Sequence, residues 1–319
     1  MFAVCGPETT QNWRVGLLTM VREALLWSSE NPLLADRLPQ LKFVQRAVRR
    51  FMPGESSEDA MREGVRLEEF HIGSVLSLLG EKVTESVDEV VEHYKGVLEE
   101  IDRRDLDMEI SVKLTQLGVD INEEVAVSNL ESIVSKAEEL GRFVWIDIEN
   151  SDYVDVTLDL YRQVRAQYRG TGICLQSYLY RTAEDLGSLL TLDPAIRLVK
   201  GAYAEGPDVA FPDKRDVDLN YLALAEQLLN EVSVGRARAA FATHDIQIIS
   251  KIEQAAFARG MPRDQVEFQM LYGIETANQK RLAENGYRMK VLISYGSAWF
   301  PWYMRRLAER PANLWFVLR

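Results

Sequence analysis

Eight short apolar runs, each parted from the next by a longer stretch of helical periodicity, constrain this 319-residue chain most strongly. The runs are IGSVLSLLG (72–80), MEISVKLTQLG (108–118), RFVWIDIE (142–149), GICLQSYLY (172–180), IRLVKGAY (196–203), AAFATHD (239–245), VEFQMLYG (266–273) and MKVLISYG (289–296). Between them lie segments such as VDEVVEHYKGVLEEIDRR and DIQIISKIEQAAFARG. Several close on glycine, which takes the left-handed conformation just past a helix end at no steric cost. Short strands alternating with helices build a parallel sheet, because a parallel neighbour needs a long crossover. Eight such units predict an α/β fold closed as a (β/α)8 barrel. An open doubly wound sheet is the alternative, and no dinucleotide fingerprint supports it. GTGICL (170–175) lacks a third glycine and precedes a strand instead of following one.

Upstream, NWRVGLLTMVREALLWSSENP and LKFVQRAVRRFMPGE read as helices that stop at Asn31-Pro32 and Pro53-Gly54. SSEDAMREGVRLEEFH reads as a third, with Ser57 as its N-cap and acids in its first turn. The expected organisation is an N-terminal helical segment over 1–70, packed on a barrel over 71–319. A formal charge of −12 excludes a general nucleic-acid binder. Cys5 and Cys174 fit no zinc spacing, and His71, His93 and His244 are scattered, so no metal site is expected. Sparse cysteine fits a reducing compartment. The first residues lack a charged region leading into a long apolar core, and no apolar run approaches a membrane span. A soluble, cytoplasmic protein is expected.

In barrels of this class the site forms at the C-terminal ends of the strands. Those ends are polar here in nearly every unit: Lys113, Thr115 and Gln116, then Asp147 and Glu149, then Gln176 and Tyr178. Arg197, Lys200 and Tyr203 follow, then Thr243, His244 and Asp245, then Gln269 and Tyr295. Repetition points to one shared mouth. Arg197 and Lys200 are three apart, so alternation puts them on opposite faces, and a twist, a bulge or backbone contacts are expected to reconcile them. Taken singly, Lys113 and Asp147 also fit a structural bridge, and His244 a satisfied core histidine. The segment YGSAWFPWYMRRLAERPANLW opens a helix at Pro301. It carries Arg305 and Arg306 among Trp299, Phe300, Trp302 and Tyr303, with Glu309 in reach of both arginines. Two adjacent guanidiniums amid aromatics suit bidentate capture of a carboxylate.

The motifs KLTQLG, IDIE, LQSYLYRT, RLVKGAY, FATHD, EFQMLYG and WFPWYMRRLAERPANL, in this order, resemble the bacterial monofunctional proline dehydrogenases. These flavoenzymes also occur as one domain of the bifunctional proline-utilisation protein. The resemblance covers residues 43–315. It implies a distorted (β/α)8 TIM-type barrel with FAD over the strand ends. It implies oxidation of L-proline to 1-pyrroline-5-carboxylate, with electrons passed to a membrane quinone. Partners would then be that quinone and a pyrroline-5-carboxylate dehydrogenase, with the chain peripheral at the inner face of the membrane. Carried over by motif, Lys113, Asp147, Tyr203, Arg305 and Arg306 resemble substrate-site residues. Gln176, Arg197, Lys200, Gly201, Ala202, Thr243, His244 and Glu309 resemble FAD contacts.

FAD would accept the hydride, so the protein must bind, orient and tune. The two arginines would fix the substrate carboxylate and set the ring carbon next to nitrogen against flavin N5. Two positions depart from the family. It commonly has tyrosine where this chain has Leu292, and again where it has Trp302. Both tyrosines line the family's substrate pocket, so a related cyclic amino acid such as 4-hydroxyproline is an alternative substrate. A Schiff-base lyase using Lys200 or Lys113, and a barrel that binds without turnover, are the competing classes.

Overall fold

Each apolar run becomes a strand. A computed structural model describes residues 48–80, 86–300 and 303. Its strands are β1 (Gly73–Leu78), β2 (Met108–Val112), β3 (Val144–Ile146) and β4 (Thr171–Gln176), then β5 (Ala195–Val199), β6 (Arg238–Ala242), β7 (Glu267–Leu271) and β8 (Arg288–Tyr295). They are parallel, follow one another around a closed barrel, and β8 pairs back with β1. The helices are α1 (Ser57–Glu68), α2 (Val87–Arg103), α3 (Glu123–Glu139) and α4 (Val154–Gln167), then α5 (Thr182–Leu189), α6 (Lys214–Ser233), α7 (Ile246–Ala258) and α8 (Thr276–Glu284). The (β/α)8 expectation is met. Residues 52–296 form one unit, while 48–51, 297–300 and 303 belong to a second. In that second unit the rings of Trp299, Phe300 and Tyr303 are buried, and Trp299 meets both neighbours edge to face. The N-terminal helices expected before residue 48, and the helix expected to open at Pro301, lie outside the described residues.

Strand alternation sorts the barrel into two cores. One parity faces the helices: Leu76, Ile110, Ile146, Ile173, Ile196, Phe241, Phe268 and Ile293 join the large apolar layer between sheet and helices. The other parity faces inward. There a small apolar cluster forms, from Val75, Trp145, Ala195 and Ala240, with Phe143 and Leu292 packed against it. Charged side chains stand below that cluster and above it.

Local chemistry sets the helix ends. Ser56, not Ser57, caps α1: its side chain accepts from Asp59 N at 3.1 Å. Either serine satisfies the pattern, and only Ser56 keeps the extended backbone a cap needs. Asn122 and Asp245 cap α3 and α7 in the same way. β5 pairs in unbroken register with β4 and β6, so no bulge reconciles Arg197 with Lys200. Arg197 points inward, and Lys200, just past the strand, turns away from the interior toward α6.

Candidate active site

Arg197 is the centre of the upper interior. Only 2% of it is exposed, so its charge needs partners. Nη1 donates to Asp147 Oδ1 at 2.7 Å and to Ser111 Oγ at 2.9 Å. Ser111 Oγ in turn donates to Asp147 Oδ1 at 2.7 Å. Lys113 Nζ reaches Asp147 Oδ2 at 3.1 Å and Ser77 Oγ at 3.3 Å. Burial alone would raise the Asp147 carboxyl, but Lys113 and Arg197 outweigh it and hold the group below its ordinary range. Lys113 and Asp147 do pair, as their sequence positions allowed. Arg197 keeps two nitrogens, Nε and Nη2, buried without a partner, and the same holds for Gln176 Oε1.

Loops above the strands tie these groups together. Glu149, just beyond β3, accepts from Thr115 N at 3.1 Å and Thr115 Oγ1 at 2.8 Å, while Gln176 Nε2 donates to the Glu149 carbonyl at 3.2 Å. The segment after β5 crosses to the same place. Glu205 accepts from Ser151 N at 2.7 Å and from Ser151 Oγ at 2.6 Å. Gly201 makes the turn possible: its φ is +122°, and a Cβ there would lie 2.3 Å from the Tyr178 ring. Ala202 is exposed and Tyr203 half-buried on this segment, which follows the strand and is not part of it.

Lys200 lies between two carboxylates, Asp218 of α6 and Asp245 at 3.0 Å, and Lys214 shares both. Thr243 is buried, and its Oγ1 accepts from Asp245 N at 3.1 Å. His244 Nε2 accepts from Leu271 N at 2.9 Å, which puts the ring proton of the neutral form on Nδ1. Leu292 is half-buried on the inner face of β8, in register with Val75 and Leu271. Trp302, Arg305, Arg306 and Glu309 lie outside the described residues. Among the described residues no helix is long and apolar enough to cross a membrane, and no group of three or more His, Cys, Asp or Glu is arranged to hold a metal ion.

A family model described as proline dehydrogenase matches residues 60–319. This chain belongs to the proline dehydrogenase family. It is 40% identical over 303 residues to proline dehydrogenase 1 of Bacillus subtilis (strain 168), covering 94% of this chain and 98% of that one. It is 38% identical over 311 residues to proline dehydrogenase of Deinococcus radiodurans, covering 94% and 97%. Among solved structures it resembles proline utilization A from Bdellovibrio bacteriovorus inactivated by N-propargylglycine, with a TM-score of 0.80 at 22% identity over 92% of this chain. Proline utilization A from Corynebacterium freiburgense gives a TM-score of 0.68 at 18% identity over 93%. The chain spans 37% and 33% of those two proteins, and the likeness is one of fold.

For this proline dehydrogenase family member the sequence brought Lys113, Asp147 and Arg197 into view, and they meet in one cluster. It passed over Ser111, Ser77, Glu205 and Trp145. The alternation of MEISV contained the signal for Ser111, because its parity is that of Glu109 and Lys113. Nothing local marked Glu205, whose partner Ser151 is 54 residues away.

Proposed function

We propose that this chain oxidises L-proline to 1-pyrroline-5-carboxylate with FAD as hydride acceptor, and passes the electrons to a quinone. Family membership supports the substrate and the reaction. The observation that carries the cofactor reading is Arg197, a buried cation with two donors unspent, together with the equally unpaired Gln176 Oε1 on the neighbouring strand. Buried polar atoms without partners are rare, and a polar ring edge would satisfy these. When bound, FAD supplies a two-electron acceptor at flavin N5.

The chain's own residues do the rest. Arg197 offers positive charge where a reduced flavin carries negative charge, and Asp147 and Ser111 keep it from swinging. Lys113 and Asp147 form a paired polar floor with no strong base. Tyr203 lines the substrate side, and Arg305 with Arg306 clamp the carboxylate, leaving the ring carbon next to nitrogen as the group to be oxidised. Gly201, Ala202, Thr243, His244 and Glu309 complete the cofactor set. Lys200 belongs to that set through phosphate, in exchange for one of its two carboxylates. A pyrroline-5-carboxylate dehydrogenase would take the product.

The salt bridges of Lys200 and Lys113 weigh against a Schiff-base lyase. Attack on a carbonyl needs a free amine, and each lysine would have to leave its ion pair. A second substrate reading is favoured by one observation. Leu292, where the family commonly has tyrosine, packs against the inner apolar cluster and offers no hydroxyl. Preference among proline, 4-hydroxyproline and larger rings would then shift, at about 1–3 kcal/mol per methylene-sized change.

The test is anaerobic. Purified protein is expected to be yellow and its flavin to bleach on adding L-proline. Arg305→Met and Arg306→Met are each expected to weaken substrate binding by about 2–5 kcal/mol with flavin content intact. A colourless protein, trapped by borohydride on a carbonyl substrate, refutes the reading. Leu292→Tyr with Trp302→Tyr is expected to raise the preference for proline across an analogue panel. An unchanged ranking removes these positions from specificity.

A further inference from the structure

We propose that Trp145 is a positioning residue for Arg197, and that Glu109 and Arg238 hold it in place. This rests on the reading of Arg197 as the flavin-facing cation. Trp145 stands on β3 with none of its surface exposed. Its Nε1–H donates to Glu109 Oε2 at 2.7 Å, which fixes the indole in its own plane. The Arg238 guanidinium lies 4.9 Å from its ring centroid, and the Arg197 guanidinium 4.7 Å. The barrel makes room for this ring. Gly172 is its partner in the register, and a Cβ there would lie 2.5 Å from the indole.

The geometry of Arg197 shows why such a support is needed. Of its three nitrogens only Nη1 is tethered, to Asp147 and Ser111. One tethered corner leaves the guanidinium free to pivot. Nε and Nη2, the donors with no partner, cannot set its plane by hydrogen bonding. The indole face, 4.7 Å away, is a fixed surface that can set it. Stacking on it is favourable for a desolvated guanidinium, and it aims both unspent donors one way. Any buried indole N–H needs an acceptor, but a ring serving only to fill space would not need two guanidiniums over it.

A double-mutant cycle tests this on the full chain. Trp145→Leu is expected to weaken flavin binding to the apoprotein and to slow single-turnover flavin reduction, each by about tenfold. In the Arg197→Met background the same change is expected to alter each by less than about twofold, because nothing remains to be positioned. Trp145→Phe keeps a ring face and is expected to recover most of the loss. Should the leucine variant not fold, the phenylalanine variant carries the cycle: its loss of a few fold vanishes in the Arg197→Met background. Equal losses in both backgrounds overturn the proposal and leave Trp145 as core packing. If Arg197→Met alone changes neither flavin affinity nor reduction rate, both the positioning role and the flavin-facing role of Arg197 fall.

Discussion

Two arginines lie over one indole, and they differ in what they leave undone. Arg238, at the start of β6, turns Nε and Nη2 to carboxylates: Glu267 through Nε at 2.9 Å and through Nη2 at 2.9 Å, and Glu109 through Nη2 at 2.8 Å. Lys290 joins from β8, 2.7 Å from Asp107 and 3.4 Å from Glu109. Burial would raise the Glu109 carboxyl, yet Lys290 and Arg238 hold it below its ordinary range. Arg197, near the strand C-termini, is more deeply buried and shares one carboxylate with Lys113, leaving two nitrogens unpaired. Charges at the foot of the barrel answer one another, whereas those at the mouth remain partly unanswered. That division matches the general rule for such barrels, in which one end serves stability and the other chemistry.

The largest expected effect tests the foot. Arg238→Met removes the cation shared by Glu109 and Glu267, leaving Glu109 with Lys290 and Trp145 and Glu267 with Gln269, and denaturant unfolding is expected to report a loss of about 3–5 kcal/mol. A loss under half of that would make the foot a weak support and blur the contrast. Next comes Arg197→Met at the mouth. The rate of flavin reduction by proline is expected to fall about a hundredfold, as when a preorganised donor is removed from a reacting centre. Stability is expected to fall less than in Arg238→Met, because Asp147 keeps Lys113 and Ser111. A stability loss equal to that of Arg238→Met would put both arginines in the same structural class.

Glu205→Ala is a subtler probe, since it cuts the tie from the β5–α6 segment to Ser151 while leaving the interior charges in place. KM for proline is expected to rise about three- to tenfold with little change in thermal stability, because one or two hydrogen bonds are worth about 1 kcal/mol each. An unchanged KM would detach this segment from the mouth.

The smallest effect concerns Asp245→Asn. Asparagine still caps α7, so the change isolates the ion pairs with Lys200 and Lys214. Burial pushes the Asp245 carboxyl up, but the two lysines win and bring it down to about 2. A depressed carboxyl stabilises the folded state above its ordinary pKa of about 3.9 and stops doing so as pH falls through the folded value. Partial exposure screens the pair, so the deficit of the variant at pH 7 is expected below about 1 kcal/mol. It should close as pH falls from about 4 to about 2. A deficit that persists at low pH would assign the loss to the cap.

The barrel itself was legible because hydrophobic periodicity is a local signal. A run such as VEFQMLYG announces a strand, and EQAAFARG announces a helix end, without reference to anything distant. Strand order followed too, since parallel neighbours joined by one helix each leave little choice. The mouth was legible as a place, from polar residues that recur at strand ends, and Lys113 with Asp147 was legible as a pair. The side on which each polar residue stands was not. Arg197 and Lys200 are three residues apart, yet one crosses the barrel to Ser111, 86 residues away, and the other turns out to Asp218 and Asp245. Closure of the sheet decides this, because it fixes which parity is enclosed and brings β2, β3 and β5 within hydrogen-bonding distance. The sequence alone determined the alternation, the eight units and the chemistry available at their ends. The tertiary structure alone decided which of those charges are spent on one another and which keep unpaired atoms, because pairing is a property of distances that span the whole chain.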